Sequence, residues 1–138
     1  MAYNRVAILG TGGVGGFFGG LLARAGADVT FTLDGDAATL PATTGLAVYR
    51  VLQEALTNAI KHAPGAQTDV GVKVAAQDVR LEVDSSGAPG TGTGLGLITM
   101  RERAESVGGV CSAAPGGRGW LVSATFPLDR SRRRENVS

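Results

Sequence analysis

The sequence predicts a single α/β domain in which a sheet packs against helices. Short runs rich in β-branched residues alternate along the chain with segments whose apolar residues recur at helical spacing, which is the pattern of an α/β fold. The 138 residues leave room for one domain, and 43% of them are apolar, enough to fill a core. The formal net charge of +1 gives no strong electrostatic field, so we expect no nucleic-acid partner.

The first half of the chain contains two predicted strands and two predicted helices. Residues 6–9 form a short apolar run typical of a buried strand, and residues 29–33 alternate as a second strand does. Between them, residues 14–25 are rich in glycine but helical in pattern. The strongest helix is predicted over residues 44–63, because its apolar side chains cluster on one side and a Pro-Gly pair follows.

The second half contains a hairpin, a helix and two more strands. The hairpin is predicted from residues 69–74 and 79–83, which are rich in valine and joined by a short turn. Residues 95–107 predict a second amphipathic helix that ends at two glycines. The last strands, over residues 110–114 and 120–126, are joined by a Pro-Gly-Gly turn.

A polar stripe on the long helix has the composition of a nucleotide site. Four residues fall together on the side away from the apolar one: Glu54, Asn58, Lys61 and His62. Asparagine is a mediocre helix former, and a purely solvated face would favour Lys, Glu or Arg at its position. A carboxylate and an amide oxygen one turn apart suit Mg²⁺, and a lysine and a histidine suit phosphate oxygens. An ordinary solvated helix face is the alternative.

A second motif, Gly92-Thr93-Gly94-Leu95-Gly96-Leu97, leads from a loop into the second predicted helix. Glycines at such a place let the backbone close around phosphate groups, and the helix dipole favours their negative charge. Alone, this pattern is also that of a helix start with spare glycines. Its combination with Glu54 and Asn58 on another helix strengthens the prediction of a phosphate site.

These motifs, in this order, resemble those of sensor histidine kinases. Residues 49–63, YRVLQEALTNAIKHA, look like the N box of that family. The hairpin, the Gly-x-Gly-Leu-Gly-Leu motif and the closing Thr-Phe-Pro-Leu resemble its NarL/DesK-like branch, and the similarity covers about residues 28–128. The resemblance implies the Bergerat ATP-binding fold, a two-layer α/β sandwich with a mixed sheet backed by helices and a loop that acts as ATP lid.

The resemblance also implies roles for individual residues. Asn58 would hold Mg²⁺, and Glu54 would be the catalytic residue that orders a metal-bound water or assists proton transfer. Lys61 and His62 would approach the phosphates. The lid would be shaped by its three glycines and would contact ATP through the whole motif: Gly92, Thr93, Gly94, Leu95, Gly96 and Leu97.

The sequence departs from this family at the position that reads the base. The family usually carries an Asp-x-Gly after the second hairpin strand, and its aspartate binds the adenine amino group. Here Ser85 stands two places before Gly87, and Asp84 lies one place early. Because one place along a strand changes the face, either a shift at the strand end restores Asp84, or Ser85 accepts the bond.

The chain contains one histidine, His62, which already belongs to the N box. The resemblance implies that a histidine kinase phosphorylates a histidine on a separate helical domain. We therefore expect the partner to be a histidine-bearing dimerisation domain or a response regulator in trans.

The beginning of the chain resembles a different family. Residues 6–15 read as a strand followed by Gly-x-Gly-x-x-Gly, and Asp34 follows at the distance of a ribose-binding acid. Residues 3–33 are similar to the start of ketopantoate reductase-like NAD(P) oxidoreductases, so the chain has the pattern of a chimera. So short a piece cannot bury both faces of a parallel sheet, and it is expected to be fused to the sheet of the ATP-binding domain.

These observations predict three segments and one function. The segments are a Rossmann-like β-α extension over residues 1–27, the ATP-binding domain over residues 28–128, and a basic disordered tail over residues 129–138. The function is that of the cytoplasmic ATP-binding catalytic domain of a sensor histidine kinase, with ATP and Mg²⁺ as cofactors. Two alternatives stay open: an NAD(P)-binding oxidoreductase fragment, and a degenerate, non-catalytic partner-binding domain.

A membrane span over residues 6–23 is the weaker interpretation of the uncharged N-terminal stretch. The length of 18 residues is sufficient, but seven of these residues are glycines, which make a poor apolar helix. The glycines fit the nucleotide fingerprint better.

Overall fold

The computed structural model describes residues 6–10, 28–62, 67–86, 95–116 and 119–128. These residues form six strands: β1 (Val6–Gly10), β2 (Asp28–Asp34), β3 (Gln67–Val74), β4 (Asp78–Ser85), β5 (Val110–Pro115) and β6 (Trp120–Pro127). Two helices, α1 (Ala42–His62) and α2 (Leu95–Glu105), contact each other and the sheet. A 3₁₀ turn, Ala37–Thr39, precedes α1.

Some predictions lie outside the described residues. They are the helix over residues 14–25, the tail over residues 129–138, and four of the predicted cofactor-binding residues: Gly87, Gly92, Thr93 and Gly94. The proposed membrane stretch, residues 6–23, also falls largely in this part. Neither of the two described helices has both the length and the hydropathy needed to cross a membrane.

All six strands belong to one mixed sheet in the order β1-β2-β3-β4-β6-β5. The pairs β1–β2 and β2–β3 are parallel, whereas β3–β4, β4–β6 and β6–β5 are antiparallel. The mixed sheet implied by the resemblance is therefore confirmed. The N-terminal strand extends that same sheet, because Val6 to Gly10 pair in register with Val29 to Leu33.

The core lies between the sheet and the two helices, on what we call the helix face of the sheet. Apolar side chains of β2, β3, β4 and β6 alternate between buried and accessible positions, and the buried ones pack against α1 and α2. The inward side of α1 is as predicted, and its members with described side chains are buried: Val48, Leu52, Ala55, Leu56 and Ala59. The alternation explains the short valine-rich strands, since each exposes one face and buries the other.

The ends of both helices differ slightly from the prediction. Helix α1 begins at Ala42, two residues early, because the Gly45 N–H donates to the Pro41 carbonyl at 2.8 Å and this opens the first turn. Helix α2 ends at Glu105 rather than Val107, where Gly108 has a φ of +80° and the Gly109 N–H donates to the Ala104 carbonyl at 2.8 Å. A glycine in the left-handed region is a common helix terminator.

The opposite side of the sheet, here called the open face, is polar and carries no helix among the described residues. A groove of about 630 Å³ runs over it and is lined by residues of β2, β3 and β4, including Thr32, Lys73 and Glu82. Arg80 and Asp78 form an ion pair there, with 3.7 Å between Nε and Oδ1. The two faces of the sheet therefore differ sharply in chemistry.

Candidate functional site

The structure brings the two predicted nucleotide motifs together. Gly96, in the first turn of α2, lies directly against the amide of Asn58 on α1. A methyl group added at Gly96 would lie 3.1 Å from both Cγ and Oδ1 of Asn58, and closer still to Nδ2. Only glycine permits so close an approach, so the Gly-x-Gly-Leu-Gly-Leu motif and the N box meet at this contact.

Glu54 and Asn58 have the character of ligand-binding groups. Both are half-buried, and they lie one turn apart on α1. Neither side chain forms a hydrogen bond or an ion pair with another described residue. Their oxygens can therefore still accept a hydrogen bond or bind a cation.

The donor set fits Mg²⁺ better than a metal that needs many protein ligands. Mg²⁺ is commonly held by one or two protein oxygens and completes its shell with water and substrate phosphates. Within the described residues, no group of three or more His, Cys, Asp or Glu side chains could hold a metal ion. Asn58 and Glu54 supply hard oxygens on one helix side, which is what such a minimal site requires.

None of the other predicted residues with described side chains in the two motifs is seen to contact Asn58 or Glu54: Lys61 is exposed and Leu97 packs against the core. Lys61 is exposed on the last turn of α1. The side chains of His62 and Leu95 fall outside the described part of the structure. Leu97 is half-buried and packs against the core, so its contacts stabilise α2 on the sheet.

Three neighbouring residues, one each on β3, β4 and β6, lie at the end of the sheet where β3 begins. Thr68 on β3 pairs with Ser85 on β4, and Ser85 pairs with Trp120 on β6. Thr68 and Ser85 are 0% and 6% exposed, and Trp120 packs partly buried against the core. Residues 63–66 join the end of α1 to β3, so these three residues lie near the helix end that carries Asn58.

The sheet register places Asp84 and Ser85, both predicted to contact the nucleotide, on opposite faces of the sheet. Pairing continues without a shift through Asp84 and Ser85, which face Asp69 and Thr68 respectively. Ser85 follows the buried side chains Leu81 and Val83 and points to the helix face, so Asp84 points to the open face. Ser85 is therefore the residue of this pair that shares a face with Asn58.

Sequence reasoning missed Thr68. The signal was present, because Thr68 occupies the first inward position of a strand whose next inward residues are Val70 and Val72. A hydroxyl at a position reserved for apolar side chains costs free energy unless something binds it. Trp120 is partly buried and packs against the core.

Two family models match the chain. The model described as "Histidine kinase-, DNA gyrase B-, and HSP90-like ATPase" matches residues 43–130. The model "Ketopantoate reductase PanE/ApbA" matches residues 6–78, so the two overlap over residues 43–78. Each of the two resemblances, to histidine kinases and to ketopantoate reductases, is thus matched by a family model.

One curated relative is a sensor histidine kinase. "Sensor histidine kinase LnrJ" from Bacillus subtilis (strain 168) is 32% identical over 108 residues, which cover 76% of this chain and 27% of that protein. The chain therefore spans about a quarter of the length of this relative.

Solved histidine kinase structures share the fold. The histidine kinase domain of the blue-light activated kinase EL346 from Erythrobacter litoralis gives a TM-score of 0.63 at 21% identity and covers 85% of this chain and 58% of that chain. The catalytic domain of histidine kinase ThkA gives 0.61 at 20% identity, covering 83% of this chain and 86% of that one. These similarities confirm the predicted two-layer α/β sandwich of the Bergerat type.

Proposed function

This chain belongs to the family of histidine kinase-, DNA gyrase B- and HSP90-like ATPases, and on that premise we propose that it binds Mg-ATP where α1, the first turn of α2 and the end of the sheet meet. The observation that carries the proposal is the close contact between Asn58 and Gly96. This contact joins a half-buried amide to the start of a helix whose preceding sequence is rich in glycine. That is the arrangement needed to hold a cation and the phosphates beside it.

In this proposal three polar residues of α1 have distinct roles. Asn58 offers its amide oxygen to the cation, while Glu54, one turn earlier, orders a water molecule or accepts a proton. Lys61 is exposed on the next turn and neutralises phosphate charge. When bound, Mg²⁺ would neutralise charge on the triphosphate.

We further propose that the phosphoryl group passes to a histidine outside these 138 residues. The chain has a single histidine, His62, on the last turn of α1 next to the proposed site. The relative LnrJ is described as a sensor histidine kinase, and this chain corresponds to about a quarter of its length. A dimerisation domain that bears the acceptor histidine, or a response regulator, would be the partner.

Binding of Mg-ADP to an Asn58→Ala variant tests the site. We expect the affinity to fall at least about tenfold, because a cation ligand is lost, and we expect the thermal stabilisation by Mg-ADP to fall with it. Glu82→Gln, on the open face, is the matched control and should bind like the unchanged protein. Equal binding by Asn58→Ala and the unchanged protein would contradict the proposal.

A Glu54→Gln variant separates catalysis from binding. Glutamine keeps the size and one carbonyl oxygen of the side chain but cannot accept a proton as a carboxylate does. We expect Mg-ADP to bind within about threefold of the unchanged protein, while phosphoryl transfer to an added dimerisation domain falls at least about a hundredfold. Equal losses of binding and transfer would assign Glu54 to binding alone.

NAD(P) binding is the second candidate function. It is favoured by the match of the ketopantoate reductase model to residues 6–78 and by the parallel pairing of β1 with β2. NADPH and NADH, titrated in the same assay, test it, and Gly12→Ala should abolish any binding found. If neither nicotinamide nor adenine nucleotides bind at millimolar concentration, the chain is a non-catalytic, partner-binding domain.

A further inference from the structure

The open face of the sheet has an excess of negative charge. Among its described side chains, β2, β3 and β4 present five carboxylates against the two cations Lys73 and Arg80, a net charge of −3. The carboxylates are those of Asp34, Asp69, Asp78, Glu82 and Asp84. Since the whole chain has a net charge of +1, negative charge is concentrated on this face.

Part of this negative charge has no partner within the described structure. Arg80 pairs with Asp78, but Glu82 is exposed and forms no hydrogen bond or ion pair with another described residue. Asp84 is half-buried, and its Oδ1 lies inside the protein without a hydrogen-bond partner. The other such buried oxygen, Oγ1 of Thr68, faces the helix side and does not belong to this surface. The charges of Glu82 and Asp84 are therefore uncompensated and attract cations.

A glycine in the middle of β3 opens the groove on this face. Gly71 lies between Thr32 on β2 and Glu82 on β4. A methyl group added at Gly71 would have nothing within 4 Å, so the sheet is open to solvent there. A glycine inside a strand is typical of a place where another backbone approaches closely.

The arginine-rich segment of the chain follows close to this surface. Leu128 is 3% exposed and its N–H donates to the Gln77 carbonyl at 2.8 Å, so position 128 is fixed beside the start of β4. Residues 130–134 contain four arginines in five positions. An extended chain advances about 3.4 Å per residue, and Glu82 lies about 14 Å along β4 from its first residue. The arginines are therefore within reach of Glu82.

We propose that the open face of the sheet is a docking surface for the arginine-rich segment 130–134 of the same chain. The segment has four positive charges and the surface a net charge of −3, so the two are complementary. Guanidinium groups suit it because each presents a planar fork of donors to a carboxylate. The surface lies on the opposite side of the sheet from Asn58, so docking here is independent of the proposed nucleotide binding.

Backbone amide chemical shifts of the full chain test the docking. Changing all four arginines to glutamine should shift the amide resonances of Thr32, Gly71 and Glu82, and leave those of Val48 and Leu52 on the helix side in place. Raising the NaCl concentration from about 0.05 M to about 0.5 M should remove most of this difference, because the Debye length falls to about 4 Å. The variant combines Arg130→Gln, Arg132→Gln, Arg133→Gln and Arg134→Gln.

A thermodynamic cycle assigns the effect to the open face. At about 0.05 M NaCl, the four arginine changes should lower the melting temperature by about 2–4 °C. The same changes made in a Glu82→Gln background should lower it by less than half as much, because the arginines have already lost a partner. Glu105→Gln, exposed on α2, is the matched control: it removes the same charge elsewhere and should leave the full effect.

Unchanged amide shifts at Gly71 and Glu82 in the arginine variant would overturn the proposal, as would equal effects in the Glu82→Gln and Glu105→Gln backgrounds. Shift differences that appear only at concentrations where sedimentation shows dimers would place the segment on a second copy and overturn docking within one chain. If the shifts appear as expected and Mg-ADP does not bind, the proposed nucleotide function fails while the docking surface stands.

Discussion

The sheet has a parallel half, β1-β2-β3, and an antiparallel half, β3-β4-β6-β5, and the two halves differ in their capacity to form a nucleotide site. In an open parallel sheet, ligands bind where the strand order reverses. The order of the parallel half runs in one direction, and β1 is its edge among the described residues. The antiparallel half instead carries Ser85 and pairs it with Thr68, near the helix end that holds Asn58.

The change from parallel to antiparallel pairing at β3 explains why two family models match one chain. The segment that both models cover, residues 43–78, contains α1 and β3, which complete a strand-helix-strand unit with β2. Such a unit occurs in reductases and in this ATPase fold alike. The next strand distinguishes them, because β4 returns antiparallel to β3 here, whereas a doubly wound sheet would continue with a parallel crossover.

The largest effect is expected from matched core truncations, one in each half. Leu33 on β2 and Leu81 on β4 are 1% and 0% exposed and belong to the same core cluster. Leu33→Ala and Leu81→Ala should each lower the free energy of unfolding by about 2–5 kcal/mol in chemical denaturation. If both variants unfold in a single transition, the two halves form one cooperative unit.

A two-step transition in one of the variants would contradict the shared core. Thr32→Ala, on the open face of β2, is the control for Leu33→Ala because Thr32 is exposed. It should change the free energy of unfolding by about 0.5 kcal/mol or less.

Much of this arrangement could be predicted from local pattern. Alternation gave β2 to β6 to within about two residues, and it implied that Asp84 and Ser85 face opposite ways. The contact between Asn58 and Gly96 could not be predicted from spacing, because it joins two helices that are far apart in sequence. Thr68 was missed because the predicted strand began at residue 69, whereas the strand begins at Gln67 and includes Thr68 as its first inward position.

The pH dependence of stability reports on the antiparallel half, because Cys111 on β5 is a buried titratable group. Burial raises the pKa of the Cys111 thiol from 9.0 to about 11, and the charge of Arg101 opposes this in part. A raised pKa means that the folded state resists ionisation, so this contribution is present below pH 9 and is lost as the pH rises towards 11. The loss should be about 2 kcal/mol at pH 11.

Comparison with Cys111→Ala isolates this contribution. The difference in unfolding free energy between the two proteins, measured from pH 8 to pH 11, should shrink by about 2 kcal/mol as the thiol ionises. A constant difference across this range would mean that the thiol is open to solvent and that β5 is not packed as described. Alkylation of the folded protein at pH 8 should accordingly be slow.

Glycine substitutions in the two nucleotide motifs test which half of the sheet holds the nucleotide site. Gly96→Ala places a methyl group against the Asn58 amide and should weaken Mg-ADP binding at least about tenfold, or about 1.4 kcal/mol. Gly12→Ala, in the N-terminal fingerprint, should leave Mg-ADP binding unchanged. Gly71→Ala is the matched control, because nothing lies within 4 Å of a methyl group at Gly71. A loss of Mg-ADP binding in Gly12→Ala would place the site in the parallel half.

The smallest effect is expected from removing the N-terminal extension. Strand β1 pairs only with β2 among the described residues, and β2 separates it from Thr68 and Ser85. A chain of residues 28–128 should therefore fold and bind Mg-ADP within about threefold of the full chain, as circular dichroism and calorimetric titration would measure. Its melting temperature should fall, because β2 becomes an edge strand and its buried side chains Val29 and Phe31 lose cover. A truncated chain that folds without binding Mg-ADP would show that the first 27 residues contribute to the nucleotide site, and the two halves of the sheet would then have one function in common.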